Sequence, residues 1–125
     1  MDNRAIAMIN GVAVGAGMGM SVMRDLRVAA DTARFSTGYV RVGLVPGDGD
    51  TYFLPRLVGT AKALELLWTA EFIEVPQALE LDIVDRVVPA DKPAEETYAL
   101  ARQTADHKEG VQAFKDKRPP KFTGR

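Results

Sequence analysis

The sequence contains no cysteine, which excludes disulfides, thiolate metal sites and cysteine nucleophiles together and makes a cytoplasmic protein the expectation. Its single histidine, His107, has no triad or ligand partner in register and reads as a solvated side chain. No stretch reaches the roughly 18 apolar residues of a membrane span, and no long apolar segment follows Met1-Asp2-Asn3-Arg4, so no membrane partner is expected. Neither sign of charge dominates. The formal net charge of −1 sets up no field that would draw nucleic acid or an anionic surface. The remainder is ordinary for one folded domain: 125 residues, 46% hydrophobic and 26% charged, which argues against disorder.

Glycine, by contrast, is concentrated. Asn10-Gly11-Val12-Ala13-Val14-Gly15-Ala16-Gly17-Met18-Gly19-Met20 follows an apolar run over residues 4–9 that reads as a buried strand. Met18, Met20, Ser21, Val22 and Met23 then suit a short buried helix. Leu26–Ala30 reads as a second strand and Arg34–Ser36 as a short extended piece. A loop rich in turn residues over 42–50 leads to a helix ending at Val58-Gly59, with Asp50 or Thr51 as its N-cap. Thr60 can cap the next helix, Ala61 to Ala70, with Ala63, Leu64, Leu67 and Trp68 on one face. Pro76 opens a short helix, Ile83–Val88 reads as a strand, and Pro93 to Thr104 as a polar helix burying Tyr98, Leu100 and Ala101. A last helix can start near His107, but Pro119-Pro120 forbid its continuation. Short strands alternating with helices make an α/β chain. Residues 1–104 form the expected core, and 105–125 a C-terminal helix and basic tail.

Three chemistries compete for the glycine-rich turn. A dinucleotide fingerprint, G-x-G-x-x-G counted from Gly15 and Gly17, fails because its third glycine falls on Met20. A phosphate-cradling loop fails because no lysine follows these glycines. An oxyanion hole remains, since the first amides of a helix lack internal partners and carry the positive end of its dipole. A tight, close-packed turn with no ligand is the simplest alternative. Asp48-Gly49-Asp50-Thr51 hints at calcium, but Tyr52 and Phe53 stand where further oxygen ligands are needed, so no metal is expected.

The stretch from Ile9 to Gly19, with Asp25-Leu26-Arg27-Val28-Ala29 and Ala33-Arg34-Phe35, resembles the central signature of the crotonase (enoyl-CoA hydratase/isomerase) superfamily. The resemblance continues through Gly43–Gly49, Leu54–Gly59, Ala63-x-Glu65 and Leu81–Val88, and returns in Glu109–Phe122. It implies a partial crotonase-like spiral of strand–strand–helix units. Family members are longer, so the half preceding residue 5 is missing relative to them, and between about Ala101 and Ala105 the chain passes straight to the tail, omitting helices that in the family help build trimers. An apolar edge left open in this way predicts self-association into a homo-oligomer.

The resemblance also implies the chemistry. The substrate would be an acyl-CoA thioester, with coenzyme A as part of the substrate and no separate cofactor. The backbone amide of Ala16 would be one oxyanion donor, with Gly15 and Gly17 shaping the turn. The two glutamates with which hydratases of the family add water correspond here to Gly19 and Tyr39, neither of which can serve. Several isomerases carry an acid in the loop after Gly43-Leu44, where this chain has Asp48 and Asp50. Asp48 is the candidate base for shifting a double bond next to the thioester, or else a turn and cap carboxylate. Tyr39 either donates a hydrogen bond near the acyl chain or packs as an ordinary tyrosine. Met18, with Met20 and Met23, either lines an acyl pocket or is plain core. Lys115, Lys117, Arg118, Lys121 and Arg125 form a basic end that can meet coenzyme A phosphates or stay a charged terminus.

Overall fold

The computed structural model describes residues 5–103 and 105–123. Arg4 of the first expected strand, Thr104 at the end of the polar helix, Arg125 of the basic tail and the side chain of His107 lie outside the described residues. The first strand is β1, Ile6–Ile9. The stretch read as one glycine-rich loop holds a second strand, β2, Val12–Val14, in which Ala13 is buried between exposed Val12 and Val14. Three residues between Gly11 and Gly15 are too few for their alternation to register as a pattern. Helix α1, Ala16–Val22, begins inside the glycine run. Strands β3, Leu26–Ala30, and β4, Arg34–Ser36, fall where expected.

A 3-10 turn over Tyr39–Val42 follows, then α2, Asp50–Val58, and α3, Thr60–Thr69. Gly49 and Gly59 are the N-cap residues, so Asp50, Thr51 and Thr60 do not cap. On α3 the buried residues are Ala63, Leu66 and Leu67, whereas Leu64 and Trp68 are exposed. The core-facing stripe is thus rotated from the one expected, toward the spacing 63, 66, 67, 70 that continues into buried Ala70. Strand β5, Ile73–Glu74, runs into α4, Val75–Glu80. Strand β6 is only Arg86–Val88, because Ile83 and Val84 are buried in the preceding turn. Helix α5, Pro93–Arg102, buries Leu100 but leaves Tyr98 and Ala101 exposed. Helix α6, Ala105–Lys115, closes the chain before Pro119.

The strands form two three-stranded sheets, ordered β1-β3-β6 and β2-β4-β5. All pairs in the first are parallel, as is β2 with β4; β5 runs antiparallel to β4. Central β3 is buried from Arg27 to Ala30, as a strand covered on both faces must be. The main core gathers Met18, Phe35, Leu54, Ile73 and Ile83, each worth about 1.5–3 kcal/mol of burial. A half-buried clasp joins β3 to the turn before β6. Arg27 donates from its backbone N–H to Asp85 Oδ2 at 2.7 Å and from Nη2 to Oδ1 at 3.0 Å, and the Asp85 amide donates back to the Arg27 carbonyl at 2.9 Å. Among the described residues, no helix is long and apolar enough to cross a membrane.

Candidate functional site

Gly15 follows β2 and caps α1 with φ 56° and ψ −122°, a conformation that costs little only without a Cβ. Its N–H donates to the Ser36 carbonyl at 3.0 Å, which ties the turn to the end of β4. Ala16 therefore opens α1 at an exposed corner, where its N–H meets no backbone acceptor among the described residues. Such a first-turn amide has no intrahelical partner to give. Met18, two residues on, is fully buried in the main core. Met20 is exposed and Met23 sits against Gly49, so the three methionines do not converge on one pocket.

The opposite wall comes from the segment after β4. The buried Ser36 hydroxyl donates to the Ala70 carbonyl at 2.8 Å and that of Thr37 to the Leu66 carbonyl at 2.9 Å, fixing the strand end on α3. The Tyr39 ring consequently lies against Gly15, 3.7 Å from where a Cβ would stand. Its hydroxyl donates to Asp48 Oδ2 at 2.6 Å. Asp48 in turn covers Gly19: a Cβ there would meet the Asp48 carbonyl oxygen at 2.7 Å and the Asp48 Cβ at 3.2 Å. The space of a side chain at position 19 is occupied by Asp48.

Asp50 is the residue whose surroundings were not legible in sequence. It is the first residue of α2 and is fully buried. Neither of its carboxyl oxygens has a hydrogen-bond partner. Burial, and secondarily the charge of Asp48, push its carboxyl up to about 6. Burial also raises the Tyr39 phenol, helped by its hydrogen bond to Asp48 and by the charges of Asp50 and Asp48, so Tyr39 remains a neutral donor. Only the pattern Asp-Gly-Asp signalled this in sequence, and it is equally a turn signal.

The structure thus brings Gly15, Gly19, Tyr39, Asp48 and Asp50 together beside Ala16. Gly17 faces elsewhere, onto an open groove of about 300 Å³ shared with Met8, Val12, Met20 and Arg24. The basic tail folds back on α6. Arg118 pairs with Glu109 at 2.6 Å and holds that carboxyl down to about 2, and the Lys121 amide donates to Glu109 at 2.8 Å. Among the described residues, no three His, Cys, Asp or Glu side chains are placed to share a metal ion.

Residues 1–107 match the family model described as enoyl-CoA hydratase/isomerase. The chain is similar to a probable enoyl-CoA hydratase of Rhodobacter capsulatus, 32% identical over 160 aligned positions that take in 96% of this chain and 62% of that protein. It is 29% identical to the 1,2-epoxyphenylacetyl-CoA isomerase of Escherichia coli, across 96% of this chain and 61% of that one. The crystal structure of an enoyl-CoA hydratase from Bacillus anthracis superposes with a TM-score of 0.79 at 29% identity, covering 99% of this chain and 64% of that one. The chain therefore spans less than two thirds of the length of these relatives. Because 160 aligned positions exceed the 125 residues present, the relative also carries internal residues without a counterpart here.

Proposed function

Since the chain belongs to the enoyl-CoA hydratase/isomerase family, we propose that it acts on an enoyl thioester of coenzyme A, moving the double bond through a thioester enolate rather than adding water. The observation that carries this reading is Asp48, hydrogen-bonded to Tyr39 at 2.6 Å and filling the space beside Gly19. Hydration needs one group to activate water and another to deliver a proton, and a glycine at 19 and a neutral tyrosine at 39 supply neither. Isomerisation needs one base. The Asp48 carboxylate takes the proton from the carbon between the double bond and the thioester, becomes a carboxylic acid, and returns the proton to the far carbon of the original double bond, so that the double bond moves next to the thioester. Negative charge gathers meanwhile on the thioester oxygen, for which the Ala16 N–H is one donor; such a donor is worth about 10²–10³ in rate. Gly15 keeps the backbone bare enough for the thioester to approach, and Tyr39 orients the base.

The test is turnover of a 3-enoyl-CoA against crotonyl-CoA. Isomerisation without hydration is expected, falling at least about a hundredfold in Asp48→Asn, a loss in the range of general-base removal. Hydration at a comparable rate, or an unaffected Asp48→Asn, overturns it. A second reading rests on exposed Met8, Val12 and Val14 along the outer strands: a self-associating protein without catalysis that binds acyl-CoA weakly or not at all. No turnover of either thioester, and no thermal shift with coenzyme A, selects that reading.

A further inference from the structure

Of the groups around Asp48, Asp50 has no part in the single-base chemistry above, yet it is the one the structure leaves least satisfied. It is fully buried and both its oxygens lack partners, an arrangement that strongly disfavours a carboxylate and far less a neutral acid. The phenolic proton of Tyr39 is already given to Asp48. Among the described residues, no cation is paired with it. Helix α1, packed against α2, has no ionisable side chain. On α3, Lys62 is paired with Glu65 at 2.8 Å. On α2 itself, Arg56 stacks over Tyr52 at 3.6 Å. From the 3-10 turn, Arg41 lies over Phe72. The titratable neighbours that act on Asp50 are thus a second acid, Asp48, and the phenol of Tyr39. The positive end of α2 works in favour of the carboxylate, but no first-turn N–H reaches it.

We propose that Asp50 is a positioning residue that takes up one proton from solvent when an acyl-CoA thioester covers the site, leaving Asp48 as the single charged carboxylate facing the substrate. The proposal rests on the acyl-thioester reading given above. Seating a ligand over Asp48 and Tyr39 removes water from a pair of acids that already repel each other, and desolvation shifts the balance further toward the protonated form. Asp48 keeps the donor that its charge requires. Asp50, with none, accepts the proton.

Butyryl-CoA is the probe, because a saturated thioester has no double bond to move. Calorimetry in two buffers of different protonation enthalpy, between pH 6 and 8, reads both affinity and proton uptake. The wild-type chain is expected to take up a proton near pH 7 and to bind more weakly as pH rises, approaching tenfold per pH unit. Asp50→Asn, which mimics the neutral acid, is expected to take up none, to show a flat profile and to bind at least as tightly at pH 8. A variant that keeps the slope, or that binds more than tenfold weaker with its melting temperature intact, overturns the proposal. If butyryl-CoA binds neither protein, the acyl-thioester reading falls. Asp50 is then judged on the free chain by its carboxyl carbon resonance, identified by its loss in Asp50→Asn. A midpoint well above those of the exposed aspartates upholds it as the proton-holding group; an ordinary midpoint overturns that too.

Discussion

A buried aspartate held near 6, against an ordinary 3.8, binds its proton more tightly in the folded chain than in the unfolded one. Its contribution to stability is therefore complete below about pH 4 and is lost as pH rises through 6, a difference of about 3 kcal/mol by linkage. Asp50→Asn removes that dependence. Thermal melts should show the variant matching the wild type near pH 4.5 and exceeding it by several degrees at pH 7.5; parallel pH profiles would show that Asp50 titrates normally. Gly19 makes the complementary point. Gly19→Glu restores the residue type that the family's hydratases use, but its Cβ drives into the Asp48 carbonyl, so a loss of about 1–3 kcal/mol and no gain of hydration are expected. Crotonyl-CoA hydration by this variant would show that the loop over 44–49 yields. The residue types at 19, 39 and 48 were legible in sequence. That Asp48 stands in the space of the missing side chain was not, because it depends on how the loop over 44–49 folds back over α1.

At the scale of elements, legibility followed length and repetition. Strand β3 and helix α3 announced themselves, the first by an apolar run broken only by Arg27 and the second by helical spacing. The three-residue β2 did not. Caps were misread for a physical reason: aspartate and threonine suit the N-cap position, but Gly49 at φ 87° and Gly59 at φ 81° take the chain into its turns, leaving Asp50 and Thr60 as first helical residues. The clasp between β3 and the turn before β6 was invisible, since nothing local relates Arg27 to Asp85. Removing one side of it is informative. Asp85→Ala leaves the 6% exposed Arg27 without its counter-charge. Breaking a buried pair typically costs about 3–5 kcal/mol, and because Asp85 is partly solvated about 2–3 kcal/mol is expected here. Urea denaturation checks this, and a loss below half a kilocalorie would mean that water already supports Arg27.

Across the whole molecule, both sheets end on strands with an unpaired side, β1 in one and β2 in the other. Met8, Val12, Val14 and Met20 remain exposed beside these edges, a combination that soluble proteins rarely leave uncovered. Sedimentation at micromolar concentration should show self-association, and Val12→Lys should shift the chain toward monomer; a wild-type chain that is monomeric throughout would remove the second functional reading. The α/β class and the family were legible because the signature runs through most of the chain. The site's second wall was only partly so, because it depends on how the segment from Gly38 to Asp50 folds back over α1.

The central strand of the first sheet has consequences for how the protein is made. One neighbour of β3 is synthesised just before it, but the other, β6, pairs Val28 with Arg86, and the clasp that seals this side spans 58 positions of chain. Closing so wide a loop delays the sheet in any folding order. Until Val88 has been synthesised, this sheet can therefore hold no more than the β1–β3 pair, with the β6 side of its central strand open.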